Sequence, residues 1–323
     1  MDVLVTGAGG ALGGHLVKQL ISDGHAVRAV DVKPLDRWWQ SAAGAENVQA
    51  DLSRRDEVKR AFDGVVFDRV YNLAANMGGI GFITACEADC AFTVLTTAHM
   101  LEEAADTGSG RFIQTSSACI YPTHMQDESL SRALREDDAW PALPDHGYGL
   151  EKLFGEKLCE YASRDWYLDT RVARLHNVYG THGEWRGGRE KAPAAMCRKI
   201  AVAKLRGEGE IEVWGDGEQT RSFMFVDDFV EGITRIAESD YTHPLNLGTS
   251  ELVTINELIS IVEDVAGYKV ERRHNLEAPQ GVRGRNSDNT RIREVLDWEP
   301  SISLREGVQQ LYGWVEEQVR QTL

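Results

Sequence analysis

Tyr148 and Lys152 lie four residues apart in the stretch "YGLEK". On a helix this spacing places both side chains on one face. The ordinary pKa of a tyrosine is about 10, too high for a base at neutral pH, but a neighbouring ammonium favours the phenolate. The pair therefore predicts proton transfer at a substrate hydroxyl. The same spacing is also common on solvated helix faces, so its meaning depends on the surrounding elements.

A glycine-rich turn stands near the start of the chain, in "VTGAGGALGGHL". Gly7, Gly10 and Gly13 follow a strand-like run and precede a helical pattern, where missing side chains let the backbone approach a pyrophosphate. Asp31 ends the next strand in "RAVDV". A carboxylate there accepts hydrogen bonds from a ribose 2′-hydroxyl and repels a 2′-phosphate. The turn therefore predicts NAD rather than NADP, with Lys152 near the nicotinamide ribose.

Two further stretches extend this site. "RFIQTSS" reads as a strand, and Ser117 at its end is placed to hold a substrate hydroxyl beside Tyr148. Tyr148 and Lys152 are then expected to contact the nicotinamide end of NAD as well as the substrate. Asp51 in "QADLS" follows a third strand, where it either approaches the adenine or caps the helix that begins in "RRDEVKRAF".

The composition excludes several classes of function. The 323 residues include 51 acidic and 35 basic side chains, a formal net charge of −16 that repels nucleic acid and anionic membranes. We therefore expect no nucleic-acid or membrane partner. An odd number of cysteines and the lack of an apolar run long enough to span a bilayer favour a reduced, cytoplasmic protein. Cys86 and Cys90 make a poor zinc site, and no metal is predicted.

Short β-branched runs alternate with amphipathic helical stretches over the first half of the chain. After "DVLVTG", leucines recur at helical spacing in "ALGGHLVKQL", and "AVRAVDV", "RVYNLAA", "RFIQTSS" and "TRVARLHNVYG" are further strand candidates. This alternation predicts an α/β fold with a doubly wound, Rossmann-like parallel sheet and a smaller C-terminal lobe. We expect residues 1–177 to form the NAD-binding domain, with returns near 220–247, and residues 178–323 to form mainly the substrate-binding lobe.

The glycine turn, Ser117 and the Tyr148/Lys152 pair together resemble the extended short-chain dehydrogenase/reductase superfamily, which includes NAD-dependent nucleotide-sugar epimerases. Longer stretches narrow the resemblance: "NLAANMGGIGFI", "SSACIYP", "GYGLEK", "RLHNVYG", "GGREKAPAAMCRK", "WGDGEQTRSF" and "GVRGRNSDN". They occur in order over nearly the whole chain and are similar to the GDP-mannose 3,5-epimerase family. This resemblance implies a nucleotide-sugar substrate in the C-terminal lobe, bound NAD and a homodimer.

The resemblance also implies a reaction, epimerisation of GDP-mannose at C3 and C5 through a transient 4-keto sugar. Protons at C3 and C5 cannot be removed directly, because no neighbouring group acidifies them. Oxidation at C4, in which Tyr148 takes the hydroxyl proton and NAD the hydride, creates that neighbour. Inversion then needs an acid and a base on opposite faces of the ring, roles that the family assigns to Cys119 and Lys191. Return of the hydride gives GDP-L-galactose or GDP-L-gulose.

Substrate-binding residues follow from the same resemblance. Gly78 is expected to bring the backbone close to the sugar, and Asn177 to hold a hydroxyl or phosphate oxygen. Fork-shaped guanidinium groups match phosphate oxygens, so Arg221 and Arg285 are expected to supply the positive charge that an acidic protein lacks elsewhere. The other expected members are Ser117, Ala118, Cys119, Glu190, Lys191, Ala192, Lys199, Gln219 and Thr220.

One position departs from the family pattern, because Asn76 stands where an aspartate generally precedes "MGG". An amide both donates and accepts hydrogen bonds, whereas an aspartate carboxylate only accepts them. The change therefore bears on which sugar is bound and on the balance of C3 and C5 inversion.

Three alternatives stay open for the function: another nucleotide hexose or heptose, inversion of a single centre such as C4 or C5, and an idle NAD-binding module. For Cys119 the alternative is a small buried residue at a strand end, and for Lys191 a solvated loop charge.

Overall fold

The structure is a computed structural model that describes residues 1–128, 132–144 and 146–323. Its strands are β1 (Asp2–Thr6), β2 (Ala26–Asp31), β3 (Ala45–Gln49), β4 (Arg69–Asn72), β5 (Arg111–Ser117), β6 (Asp169–Leu175), β7 (Asn177–Tyr179), β8 (Glu210–Trp214), β9 (Thr220–Arg221), β10 (Phe223–Phe225), β11 (Leu245–Leu247), β12 (Val253–Thr254), β13 (Glu271–Asn275) and β14 (Gly284–Arg285). Its helices are α1 (Ala11–Ser22), α2 (Arg55–Phe62), α3 (Ile80–Ala85), α4 (Glu87–Ala91), α5 (Thr93–Asp106), α6 (His146–Trp166), α7 (Ala192–Arg206), α8 (Val226–Glu238), α9 (Ile255–Ala266), α10 (Thr290–Leu296) and α11 (Leu304–Thr322).

Seven strands form one parallel sheet in the order β11-β6-β5-β4-β1-β2-β3. β1 pairs with β2 on one side and with β4 on the other, so the chain winds outward from β1 in both directions. Ligands of such sheets bind at the carboxyl ends of the strands, where the order reverses. The structure therefore confirms the doubly wound, Rossmann-like parallel sheet that the sequence predicts.

Helices cover both faces of this sheet. Val3 and Val5 of β1 pack in one apolar cluster with Leu16 of α1, whereas Leu4 packs on the opposite face with Phe62 of α2. Successive side chains of a strand point to opposite faces, so burial on both sides explains the continuous apolar run of β1. Burial of each such side chain stabilises the fold by about 1.5–3 kcal/mol.

Three smaller sheets build the part of the chain that follows β6. β7 pairs with β10, β8 with β13, and β9 lies between β12 and β14. In the last of these, Arg285 of β14 is the register partner of Arg221 of β9. Pairing between strands distant in sequence thus brings two predicted phosphate-binding cations side by side.

A buried ion pair ties the strand that ends at Ser117 to the helix that carries Tyr148. Glu156 of α6 accepts hydrogen bonds from the Ser116 hydroxyl and from Nε and Nη2 of Arg174, at 3.0 and 2.8 Å for the two nitrogens. The Arg174 and Glu156 side chains are only 4% and 6% exposed. This pair positions β5, β6 and α6 relative to one another beneath the site.

Arg174→Met is expected to lower the free energy of unfolding by about 3–5 kcal/mol, because it leaves the Glu156 carboxylate buried without its cation. Urea denaturation followed by circular dichroism measures the loss. Arg164→Met removes an exposed partner of Asp165 and is the matched control, with an unchanged midpoint expected. Combining Arg174→Met with Glu156→Leu is expected to recover part of the loss, and a double variant less stable than Arg174→Met alone would contradict this account.

Candidate active site

A cavity of about 380 Å³ opens at the carboxyl ends of β5 and β6. The structure brings to its wall residues that are far apart in the sequence, from the loop after β4 to β14. The predicted site residues in its lining are Gly78, Ser117, Ala118, Cys119, Tyr148, Lys152, Asn177, Glu190, Lys191, Ala192, Lys199, Gln219, Arg221 and Arg285. Thr220 is buried on β9 beside this set and does not line the cavity.

Tyr148 and Lys152 are both buried on α6, so the solvated-face reading of their spacing is wrong. The Lys152 ammonium lies 5.7 Å from the centre of the Tyr148 ring and 3.6 Å from the buried Glu151 carboxylate. Burial raises the pKa of Tyr148, the charges of Cys119 and Glu151 raise it further, and a hydrogen bond with Ser117 lowers it. The Lys152 ammonium is therefore shared between Tyr148 and Glu151.

Cys119 and Lys191 provide a second pair of ionisable groups in the cavity. The backbone N–H of Cys119 donates to Ser117 Oγ at 3.2 Å, and Arg285 Nη1 donates to Cys119 Sγ at 3.2 Å. Lys191 is the N-cap of α7, and its ammonium donates to the Val178 carbonyl at 3.4 Å. Burial lowers the pKa of Lys191, and the nearby Cys119 charge raises it. Neither residue is a solvated surface group.

Predicted nucleotide-binding groups also line the cavity. Lys199 donates to the Glu212 carbonyl at 2.6 Å, and Gln219 donates to the Trp214 carbonyl at 3.1 Å. Such backbone anchors hold these side chains in one orientation. Trp214 also lines the cavity and is 42% exposed, although sequence reasoning did not select it. The signal in the sequence that could have identified Trp214 is its position as an aromatic residue directly before the "GDG" turn.

The Asn76 side chain is hydrogen-bonded to Arg189, in the segment that directly precedes α7. Its side-chain oxygen accepts a hydrogen bond from Arg189 Nη1 at 3.0 Å, and the Arg189 guanidinium lies 3.8 Å from the centre of the Phe82 ring. The Arg189 carbonyl accepts a hydrogen bond from the backbone N–H of Gly79. Gly79 has no room for a side chain, because a Cβ at this position would lie only 2.7 Å from the Glu190 carbonyl oxygen. The departure at Asn76 thus bears on how the segment that carries the lysine is held, and Asn76 does not line the cavity.

The glycine turn between β1 and α1 fits a dinucleotide. Gly7 has a φ of +68° and Gly13 has no room for a side chain, since a Cβ there would lie 2.3 Å from the Gly7 carbonyl oxygen. Gly10 is the N-cap of α1 and provides no side-chain cap. The first N–H groups of the helix are therefore available to an anion, as pyrophosphate binding requires.

The two predicted carboxylates at the cofactor end differ in what they contact. Asp31 is buried and accepts from the backbone N–H groups of Gly9 and Lys33, each at 2.9 Å, so it also holds the glycine turn in place. Asp51 accepts from the backbone N–H and the hydroxyl of Ser53. Because α2 begins without a side-chain cap, the helix-cap reading of Asp51 is wrong. Its contact with adenine stays a prediction.

Metal clusters and membrane-spanning helices are both absent from the part of the chain that the structure describes. Within it, no group of three or more His, Cys, Asp or Glu side chains is placed to hold a metal ion. None of the described helices is both long enough and apolar enough to cross a bilayer. The five cysteines are free thiols.

Comparison with known proteins extends these observations. The NAD dependent epimerase/dehydratase family matches residues 3–248. GDP-mannose 3,5-epimerase 1 of Oryza sativa subsp. japonica is 43% identical over 99% of this chain and 82% of that protein, and GDP-mannose 3,5-epimerase of Arabidopsis thaliana is 42% identical over 99% and 83%. Both relatives carry the name of the family that the sequence motifs resemble.

Solved structures of nucleotide-sugar enzymes share the fold of this chain. UDP-glucose 4-epimerase from Thermotoga maritima, determined with UDP-glucose, has a TM-score of 0.88 at 26% identity and covers 99% of this chain and 100% of that one. MoeE5 in complex with UDP-glucuronic acid and NAD has a TM-score of 0.81 at 27% identity, with 100% of each chain covered. Because the family match spans most of the sequence and the plant epimerases align with nearly all of it, the chain belongs to the NAD dependent epimerase/dehydratase family and is an epimerase whose cofactor is NAD.

Proposed function

We propose that this protein epimerises GDP-mannose at C3 and C5 through a transient 4-keto sugar, giving GDP-L-galactose and GDP-L-gulose. The observation that carries the proposal is that Cys119 and Lys191 share one cavity with Tyr148. Inversion at C4 needs hydride transfer and one proton acceptor, and it has no use for a second ionisable pair. Inversion at C3 and C5 requires such a pair. The names of the plant relatives support the same substrate.

The cofactor end of the proposed site consists of the glycine turn and α6. Gly7, Gly10 and Gly13 are placed to hold the pyrophosphate, and Lys152 the nicotinamide ribose. When bound, NAD accepts a hydride from the sugar and later returns it. Tyr148 takes the proton from the C4 hydroxyl, which Ser117 holds, and gives that proton back at the end of the cycle.

In the proposed reaction Cys119 and Lys191 transfer the protons to and from the sugar carbons. A C4 ketone acidifies the hydrogens at C3 and C5, so a thiolate or an amine can remove them. One of the two residues takes the proton from carbon, and the other donates a proton to the opposite face of the ring, which inverts the centre. Burial lowers the pKa of Lys191 and outweighs the opposing charge of Cys119, which makes its proton easier to release.

The diphosphate is proposed to lie against the basic wall of the cavity. Arg221 and Arg285 are register partners on β9 and β14, and Lys199 lines the same wall. Two guanidinium groups and an ammonium offset the charge of a diphosphate, which the acidic remainder of the chain would repel. Gly78, Asn177 and the backbone around Ala192 are proposed to close around the sugar.

Incubation of the purified protein with GDP-mannose and NAD⁺ in deuterated water, followed by proton NMR, tests the proposed function. Deuterium at C3 and C5 together with new L-sugar signals is the expected result. Exchange at one carbon alone would restrict the activity to a single centre. No exchange at either carbon would contradict the proposal, and the same assay with other nucleotide hexoses and heptoses would then separate another substrate from an idle NAD-binding module.

We also propose that the protein forms a homodimer through α5 and α6. These helices pack against each other, and both expose large apolar side chains. Leu150 and Phe154 of α6 are 59% and 52% exposed, and Phe92 and Leu95 at the start of α5 are exposed as well. A contiguous apolar face of this kind on a charged protein marks an interface, and two identical helix pairs would cover each other around a two-fold axis.

Phe154→Glu is expected to convert the dimer to a monomer, because it places a carboxylate in an apolar interface. Size-exclusion chromatography with light scattering measures the molar mass. Leu276→Glu changes an equally exposed apolar residue elsewhere and is expected to leave the molar mass unchanged. A dimer that survives Phe154→Glu would place the interface on another face.

A further inference from the structure

Arg285 reaches the cavity from β14 with its guanidinium directed at the sulfur of Cys119. Nη1 donates to Cys119 Sγ at 3.2 Å, and Nε of the same guanidinium donates to the side-chain oxygen of Gln126. Arg285 itself is buried. Two nitrogens of one planar group thus connect the thiol to a glutamine that does not line the cavity.

The orientation of the Gln126 amide is determined by its own partners. The residue is fully buried at the end of a 3₁₀ helix, Thr123–Gln126. Its nitrogen donates to the carbonyl oxygens of Tyr121 and Pro122, at 3.1 and 3.2 Å. Both partners are pure acceptors, so the amide cannot be reversed without losing two hydrogen bonds. The amide oxygen must therefore face Arg285.

We propose that Gln126 is a positioning residue that fixes Arg285 against Cys119 and thereby keeps a charged hydrogen-bond donor on the reactive sulfur. The proposal rests on the proposed function in taking Cys119 as one member of the acid/base pair. A charge-assisted hydrogen bond from a guanidinium favours the thiolate over the thiol. The acceptor at Gln126 restricts the rotamers of the long arginine side chain, and without it the donor to Sγ is held less firmly.

Two other ionisable groups face the same sulfur. Lys191 approaches from the N-terminus of α7 and Tyr148 from α6, and the charge of Cys119 acts on both. Neither contact involves Gln126, because the glutamine contacts Arg285 on the β14 side. A change at Gln126 therefore reaches the sulfur by two routes, the guanidinium of Arg285 and the Tyr121–Pro122 backbone that follows Cys119. A background that lacks the Arg285 guanidinium separates the two.

The reactivity of the sulfur can be measured without any sugar. Alkylation by iodoacetamide requires the thiolate, and mass spectrometry of the peptides gives the rate at each cysteine of the full-length protein. Gln126→Met is expected to slow alkylation of Cys119 by ~10-fold, the loss that follows from removing one charge-assisted hydrogen bond. The buried Cys90, Cys159 and Cys197 serve as internal controls. A merely structural role would loosen the fold and raise their rates, whereas the proposed role lowers the rate at Cys119 alone.

A double-mutant cycle separates positioning from general damage. Arg285→Met alone is expected to slow Cys119 alkylation by ~10-fold as well, and adding Gln126→Met to that variant is expected to change nothing further. Arg283→Met is the matched control, since this arginine lies two positions away and pairs with Asp216 at 2.8 Å. We expect it to leave the Cys119 rate unchanged.

Two results would overturn the proposal: an unchanged Cys119 rate in Gln126→Met, or a loss that persists in the Arg285→Met background. If Gln126→Met does not fold, Gln126→Asn takes its place in the cycle, because its amide is one methylene shorter and cannot keep all three partners. The alkylation rates do not depend on the identity of the sugar. Failure of this proposal and failure of the proposed function, which the deuterium experiment tests, are therefore distinguishable.

Discussion

Replacement of Tyr148 by phenylalanine is expected to lower kcat for formation of epimerised product by about 10²–10⁴-fold. In the proposed reaction the phenol oxygen takes the proton from the C4 hydroxyl, and without that oxidation the hydrogens at C3 and C5 stay unreactive. Deuterium incorporation at both carbons is therefore expected to disappear together with the product. Proton NMR of GDP-mannose in deuterated water measures product and exchange in one experiment.

The phenylalanine variant is expected to fold, because its ring keeps the apolar contacts of Tyr148 with Ile83 and Cys90. Tyr161→Phe removes an exposed hydroxyl from the same helix and is the matched control, with wild-type activity expected. Bound NAD, measured by absorbance after denaturation, shows whether the variant still holds its cofactor. Normal product formation by Tyr148→Phe would refute the role given to this residue.

Cys119→Ala and Lys191→Ala are each expected to lower deuterium exchange at C3 and C5 by about 10²–10⁴-fold, the contribution of a positioned acid or base. Both variants keep Tyr148, Ser117 and Lys152, so oxidation at C4 is expected to continue. The bound NADH then returns its hydride to the uninverted ketone, so unchanged GDP-mannose is expected in place of the epimers, with at most one equivalent of 4-keto sugar per bound NAD. Mass spectrometry of the quenched mixture identifies this ketone as a species two hydrogens lighter than the substrate.

Two neighbouring residues provide matched controls for this pair. Cys86→Ala changes a partly exposed thiol outside the cavity. Lys204→Ala changes another lysine of α7, whose ammonium donates to the Ala266 carbonyl and pairs with Glu316. Both control variants are expected to exchange at the wild-type rate. If Cys119→Ala and Lys191→Ala also exchanged at that rate, the acid/base pair would lie elsewhere in the cavity.

Much of the fold could be predicted because its signals are local. The continuous apolar run of β1 is explained by burial on both faces, with Leu4 on one side and Val3 and Val5 on the other. The glycine turn is a local steric requirement as well, visible in the 2.3 Å approach that a Cβ on Gly13 would make. Such constraints act within one strand–turn–helix unit, and the sequence alone shows them.

The site was harder to predict, because its contacts join distant segments. The spacing of Tyr148 and Lys152 placed them on one face, but no local pattern showed that the adjacent Glu151 is buried against the same ammonium. Asn76 was expected to bear on the sugar, and the structure instead directs its side chain to Arg189. Both outcomes depend on which elements pack against each other.

The sequence by itself determined the type of sheet, the dinucleotide turn and the proton-transferring helix, since strand and helix periodicity and glycine sterics are properties of neighbouring residues. Only the tertiary structure decided what each ionisable group faces. Arg285 stands 166 positions from Cys119 in the chain, yet its guanidinium donates to the sulfur. Gln126, which no motif singles out, holds that guanidinium from the far side. Hydrogen bonds of this kind depend on the register of β14 beside β9, which no single segment encodes.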